Sequence, residues 1–149
     1  MKKLATILTA TVLLFSSVVF AIDSDQVNAR IKAAFSKDFS AASAVTWEKV
    51  SDCYVATFTL NSSELNAAYN EAGELVGTSR KIASAQLPMN VSLALSKKYE
   101  GYAVSEKALE STADGITNYY LAVENDRQLL KIKCSIDGNI EVKEKIKKK

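Results

Sequence analysis

The chain has 149 residues, of which 48% are hydrophobic and 24% are charged, a globular composition that excludes a disordered or collagen-like protein. It contains no histidine, so Ser-His-Asp and Cys-His catalysis and histidine-ligated zinc or haem are excluded. The formal net charge of +2 lacks the broad basic excess of a nucleic-acid-binding surface.

The N-terminus has the layout of a secretory signal peptide. Lys2 and Lys3 form a positive start, residues 4–20 carry no charge, and Ala21 supplies a small residue at the cleavage position. We therefore predict a signal peptide over residues 1–21 and a periplasmic or secreted location for residues 22–149. A retained membrane anchor is the alternative, because 17 uncharged residues lie at the lower edge of a spanning length.

The next segment predicts one helix followed by four strands. Val27, Ile31, Ala34 and Phe35 recur at helical spacing, which favours a helix over residues 23–39. Short alternating stretches separated by turn residues follow. The predicted strands cover residues 45–50, 53–60, 64–69 and 74–82.

The same order then recurs. Leu87 and Pro88 open a second helix that ends near Gly101, a residue typical of helix C-termini. Four more strand-like stretches cover residues 102–110, 117–124, 128–136 and 139–146. We accordingly divide residues 22–149, as one domain, into repeat halves at about 23–82 and 87–146.

This order predicts an α+β fold, a tandem repeat of α-β-β-β-β units. Short turns make the strands antiparallel, and each half needs a helix to cover one sheet face. We expect the halves to form one curved sheet with both helices on one face and an open concave face. Tyr119 belongs to the apolar core set, whereas Tyr120 points to the open face.

The non-core side of the strands is the candidate partner-binding face. Its mixture of Thr, Tyr and Lys suits either a plain solvated surface or a bound protein or peptide. The candidate residues are Val55, Thr57, Thr59, Tyr120, Ala122, Glu124, Lys131, Lys133 and Ser135. No catalytic, cofactor-binding or metal-binding residue is predicted, since the sequence shows no nucleophile–base pair and no phosphate-binding glycine loop, and Asp137-Gly138-Asn139 lacks the remaining ligands of a calcium loop.

Cys53 and Cys134 leave two alternatives for an exported protein. The first is a disulfide between them. The alternation of apolar residues places the two thiols on opposite sides of the sheet, which favours the second, a buried free Cys134 and a partly exposed free Cys53.

The C-terminal tail is rich in lysine. From Lys143 to Lys149 it carries five lysines and one glutamate. Such a tail can make weak contact with an anionic membrane surface, whereas a solvated terminus is the simpler interpretation. No integral membrane span is predicted after cleavage of the signal.

Several short segments occur together in a fixed order. They are residues 35–39 (FSKDF), 45–47 (VTW), 54–58 (YVATF), 68–69 (AY), 73–74 (GE), 87–91 (LPMNV) and 99–102 (YEGY). Over residues 25–146 the chain resembles the PepSY-like, β-lactamase-inhibitor-protein-like (BLIP-like) secreted domains of Gram-negative bacteria. Ser40 and Asn70 depart from that pattern, which often has Pro and Asp there.

The resemblance implies a tandem α-β-β-β-β fold, a periplasmic or secreted location and a non-catalytic binding function. By analogy of fold, the resemblance also leads us to expect inhibition of a protease or another hydrolase. The alternative hypothesis is an envelope-associated structural or stress protein that uses its lysine-rich tail at a surface.

Overall fold

A computed structural model of the chain describes residues 20–149. The predicted signal peptide therefore lies outside the described residues except for Phe20 and Ala21. The strands are β1 (Phe20–Ile22), β2 (Ser43–Val50), β3 (Cys53–Leu60), β4 (Ser63–Asn70), β5 (Leu75–Ala83), β6 (Ala103–Val104), β7 (Lys107–Ala113), β8 (Ile116–Glu124), β9 (Gln128–Ser135) and β10 (Ile140–Lys147). The α-helices are α1 (Ala29–Asp38) and α2 (Met89–Lys98), and 3-10 turns precede them at Ser24–Gln26 and Ser84–Gln86.

The predicted fold class is wrong. The described residues do not form a tandem α-β-β-β-β repeat with both helices on one face of a curved sheet and an open concave face opposite. They form mostly one antiparallel sheet of ten strands, in the order β1-β2-β3-β4-β5-β7-β8-β9-β10, with β6 paired to β8 and with two ten-residue α-helices.

Two strands that the prediction lacks explain much of the difference. β1 falls at the end of the predicted signal peptide, where Ile22 pairs with Trp47 of β2. The predicted strand 102–110 is divided into β6 and β7 at Ser105, whose Oγ accepts the Ala122 N–H at 3.2 Å. A side chain thus takes the place of a backbone acceptor, and the ladder is interrupted there.

The helices are also shorter than predicted. Asn28 caps α1, because its Oδ1 accepts the Arg30 N–H at 2.8 Å, so the α-helix begins at Ala29 rather than at residue 23. Pro88 is the N-cap of α2 and Tyr99 its C-cap. No helix within residues 20–149 is both long and apolar enough to cross a membrane.

The chain divides into two compact units, Met1–Ser79 and Arg80–Lys149. We call these unit 1 and unit 2 and describe each by itself. In unit 1, Ile31 and Phe35 of α1 pack on the strands through an aromatic cluster. The Phe35 ring lies edge-on to Trp47 at 5.3 Å and to Phe58 at 5.0 Å. Edge-on aromatic pairs add about 0.5–1.5 kcal/mol to the stabilisation that burial provides.

In unit 2, Val91 and Leu95 of α2 pack on the apolar side of β8 and β9. The core there is mainly aliphatic. Its members on β8 and β9 are Tyr119, Leu121, Val123, Leu130, Ile132 and Cys134. The predicted core position of Tyr119 is confirmed, since that side chain belongs to the same buried cluster as Val91 and Leu95 of α2.

Candidate functional site

The predicted site residues lie in both units. Val55, Thr57 and Thr59 are on β3 of unit 1. The others are on β8 and β9 of unit 2, namely Tyr120, Ala122, Glu124, Lys131, Lys133 and Ser135. Since side chains alternate along a strand, each set points away from the helix that covers its own unit.

In unit 1, side chains opposite α1 form a hydrogen-bonded row that we call the Thr57 face. The Thr57 hydroxyl donates to Oδ1 of Asn66 at 2.7 Å. The amide nitrogen of Asn66 in turn donates to the Ser79 hydroxyl at 3.4 Å. Val55, next to this row, is only 5% exposed, so it is a packed residue rather than a free contact point.

In unit 2, the side chains opposite α2 form what we call the Tyr120 face. The strand register places Leu109 of β7, Tyr120 of β8 and Lys133 of β9 side by side. The next residue across the ladder is Glu141 of β10. A second row beside it contains Ser111, Asn118 and Ser135. The register thus brings aliphatic, aromatic and cationic groups together.

Tyr120 lies at the centre of that face and is 5% exposed, which is less than a solvated surface residue would be. Burial and the neighbouring Glu141 carboxylate both raise the pKa of the Tyr120 hydroxyl. Leu109 beside it is 8% exposed. The face therefore has a packed apolar centre.

Charged side chains surround this centre and pair with one another. Lys131 Nζ lies 2.8 Å from Glu144 Oε2, and Lys148 Nζ lies 2.8 Å from Glu124 Oε2. Lys143 Nζ donates to Glu141 Oε1 at 2.6 Å, and this hydrogen bond is the main cause of the lowered pKa of Glu141. The predicted site residues Lys131 and Glu124 are thus already neutralised within the unit.

The acidic partners Glu141 and Glu144 were missed in the sequence. The sequence did carry a signal, because two glutamates, Glu141 and Glu144, lie among the five lysines of residues 141–149. What the sequence does not show is the bulge between Val142 and Glu144, which sets the register that brings Glu144 opposite Lys131.

The lysine-rich tail is not a free, solvated terminus. Residues Ile140–Lys147 form β10, which pairs with β9 along its whole length. The backbone N–H of Lys148 also bonds to the Arg127 carbonyl at 2.9 Å. The tail is therefore part of the sheet.

Both cysteines are free, Cys134 buried and Cys53 partly buried, as the second sequence alternative predicts. Burial raises the pKa of the Cys134 thiol to about 11, which disfavours a reactive thiolate. Within residues 20–149 no group of three or more acidic or cysteine side chains is arranged to hold a metal ion.

Comparison with solved structures identifies the fold. A BLIP-like protein from Bacteroides fragilis is 21% identical, with a TM-score of 0.66 over 84% of this chain and 92% of that one. A DUF2874 family protein from Bacteroides ovatus is 19% identical, with a TM-score of 0.70 over 83% and 89% of the two chains.

The chain has a BLIP-like fold. A third similar structure, from Bacteroides eggerthii, is described as a candidate periplasmic protein; it is 16% identical, with a TM-score of 0.68 over 81% of this chain and 88% of that one. Identities this low show the fold alone. The PepSY-like part of the resemblance stays a prediction, since the BLIP-like description comes from the Bacteroides fragilis structure.

No model of a protein family matches the sequence, and no curated protein matches it. The periplasmic description of the Bacteroides eggerthii protein agrees with the periplasmic or secreted location predicted from the N-terminus.

Proposed function

We propose that this chain is an exported, non-catalytic binding module. Its partner is a periplasmic or secreted protease or other hydrolase, which it inhibits or sequesters. The BLIP-like fold and the predicted signal peptide support this proposal. The candidate periplasmic description of a structural relative supports the location.

The observation that carries the proposal is the row of Leu109, Tyr120 and Lys133 across β7, β8 and β9. Protein interfaces combine an apolar, often aromatic centre with a polar rim. Leu109 and Tyr120, 8% and 5% exposed, form a packed apolar support, and the paired charges around Lys131 and Glu124 provide such a rim above it. Among the described residues of unit 2, the one α-helix packs on the other side of these strands.

The rim can rearrange at low cost when a partner binds. Its ion pairs are exposed to water, and exposed pairs contribute about 0–1 kcal/mol each. A partner that presents an acidic group to Lys133 or a basic group to Glu141 would exchange one weak pair for another. The rim would then select the partner by charge and make the direct contacts, while the packed Leu109 and Tyr120 side chains would hold these charged groups in place.

The Thr57 face belongs to the proposal as a second contact surface on unit 1. Thr57 and Thr59 are half-buried hydroxyl side chains on one side of β3. The Thr57 hydroxyl already donates to Asn66, so it offers a partner its remaining acceptor capacity. Val55 provides packing beneath these hydroxyls rather than contact area.

The test is affinity capture with a charge-reversal pair. Residues 20–149, which contain every described element, are immobilised and exposed to periplasmic and secreted extract of the source cell. Lys133→Glu, on the Tyr120 face, should abolish capture of the dominant partner. Lys37→Glu, an exposed residue on α1, makes the same charge change and should leave capture intact.

The captured protein is then assayed for hydrolysis with and without the chain. Loss of its turnover at equimolar chain supports inhibition, and unchanged turnover limits the function to sequestration. Capture that both variants lose equally, or that both retain, would contradict the assignment of the Tyr120 face.

A further inference from the structure

The lysines of β10, together with Lys148, which follows it, divide between the two sides of the strand. On the Tyr120 face, Lys143 and Lys148 have glutamate partners. On the side that faces α2, the register places Lys145 beside Leu130 and Lys147 beside Gln128. Leu130 belongs to the core beneath α2, which fixes the direction in which Lys145 and Lys147 point.

Lys98 joins these two lysines on the same side of the sheet. It is the last residue of α2, and its Nζ donates to the Ile140 carbonyl, where β10 begins, at 3.4 Å. The same ammonium lies 6.0 Å from the centre of the Tyr99 ring. We call Lys98, Lys145 and Lys147 the lysine strip.

The strip is exposed and has no ion-pair partner among the described residues. All three side chains are exposed. None of the described carboxylates lies within ion-pair distance of them, in contrast to the lysines across the strand. Their ammonium groups are therefore not engaged in ion pairs within unit 2.

An apolar residue lies within the strip. Val142 points to the same side, opposite Ile132 in the register, between the ends marked by Lys98 and Lys145. Its side chain is 45% exposed. Cations around an exposed apolar group are typical of surfaces that rest on the headgroup region of a bilayer.

We propose that the lysine strip docks unit 2 onto an anionic phospholipid surface. This goes beyond the proposed function, because it uses the α2 side of the strands and leaves the Tyr120 face for a protein partner. It also changes the tail hypothesis, since the contact is made by an ordered strand and a helix end, not by a free terminus. Each lysine near such a surface strengthens binding about five-fold, so the strip accounts for about 100-fold.

The test is co-sedimentation of residues 20–149 with vesicles of phosphatidylglycerol and phosphatidylcholine. Vesicles of phosphatidylcholine alone are the neutral comparison. The strip variant is Lys98→Gln, Lys145→Gln, Lys147→Gln. The matched control is Lys131→Gln, Lys143→Gln, Lys148→Gln, which removes three lysines of the Tyr120 face and leaves their glutamate partners uncompensated.

We expect binding to the anionic vesicles only, weakened about 100-fold in the strip variant and less than about five-fold in the control. Thermal melting of both variants shows whether they remain folded. Rising salt should weaken the binding, because exposed charges are screened.

Three results would overturn the proposal. One is the absence of binding to anionic vesicles, and another is equal loss in both variants, which would show a net-charge effect. The third is displacement by inorganic phosphate at low concentration, which would indicate a site for free phosphate. Since the Tyr120 face is intact in the strip variant, partner capture should persist there whatever the vesicles show.

Discussion

The hydroxyl of Tyr69 donates a 2.9 Å hydrogen bond to Oδ2 of Asp38 and thereby joins a fully buried core residue of β4 to the last residue of α1. The Tyr69 ring also packs against Phe35 and Trp47, at centroid distances of 6.4 and 6.5 Å. One side chain thus fixes the end of the helix over the aromatic core of unit 1.

Replacing Tyr69 by Phe should lower the free energy of unfolding by about 1–2 kcal/mol, because a partly buried hydrogen bond to a carboxylate is lost while the ring remains. Urea denaturation at neutral pH measures the change. Tyr54→Phe is the matched control, because Tyr54 pairs with Tyr69 across the strands, and it should change the free energy by less than about 0.5 kcal/mol.

The same bond predicts a dependence on alkaline pH. Burial first, and then the Asp38 carboxylate, raise the pKa of Tyr69 well above its ordinary value of 10.0. The stabilisation is therefore complete below pH 10 and is lost as the pH rises toward the folded pKa. Above pH 10, the free energy of unfolding should fall less steeply with pH in Tyr69→Phe than in the native chain. The two slopes should differ by about 1.4 kcal/mol per pH unit. Equal slopes for the variant and the native chain would contradict a Tyr69 hydroxyl that stays buried and protonated in the folded state.

The turn between β9 and β10 lies against α2 at Gly138. A Cβ there would come within 2.8 Å of the Asn90 carbonyl oxygen, and the residue has φ of +86°. Gly138→Ala should therefore lower the free energy of unfolding by about 2–4 kcal/mol, through backbone strain plus a clash. At Gly115, φ is +74° but the space is empty, so Gly115→Ala should cost about 1 kcal/mol. Similar costs at both positions, measured by denaturation, would show that the turn does not pack on α2.

The two thiols should react in a fixed order. Cys134 has no exposed surface, and burial raises its pKa to about 11. Cys53 is half-buried, and its pKa is raised by burial and by Asp52. Iodoacetamide should label Cys53 first in the folded chain and Cys134 only after denaturation, as read by intact mass. A folded chain with no alkylable thiol even in denaturant would contain the disulfide that the structure lacks.

The C-terminal strand should be required for folding of unit 2. Deleting residues 140–149 exposes β9 along one edge and removes Ile140, which packs against the core. We expect aggregation in gel filtration and loss of cooperative unfolding. A chain with all five lysines of β10 and the tail changed to Gln keeps the strand and should remain folded, because exposed ion pairs contribute little. A folded, monomeric deletion would show that the tail is dispensable.

Strand positions were predictable from the sequence where one face is buried. Residues 53–60 match β3 at both ends, because Tyr54, Ala56, Phe58 and Leu60 alternate with less apolar residues over a sharply bounded run. Turn residues such as Asp137 and Gly138 also separated β9 from β10 correctly. Alternation placed Tyr119 in the core and Tyr120 on the other side for the same reason.

The prediction of the fold class was wrong where contacts between residues distant in the sequence determine the backbone conformation. Nothing local in Ser105 predicts that its hydroxyl accepts the Ala122 N–H and divides a strand. The predicted strands begin only at residue 45, so the pairing of Phe20 to Ile22 with β2 was not foreseen. The predicted sheet geometry also assumed equal repeats, which β1 and β6 break.

The candidate site was only partly predictable for a similar reason. The sequence indicates which side chains face away from the core, but not that Tyr120 is nearly buried or that Glu144 neutralises Lys131. Both depend on register and on the bulge in β10. The bounds of the signal peptide and of the domain stay predictions.

The most direct test of the account is a calorimetric titration of the captured hydrolase into residues 20–149 and into the two charge-reversal variants. If the Tyr120 face holds the partner, Lys133→Glu weakens binding about ten-fold or more, and Lys37→Glu leaves the dissociation constant within about two-fold. Equal affinity of all three chains for the partner would contradict the assignment of that face.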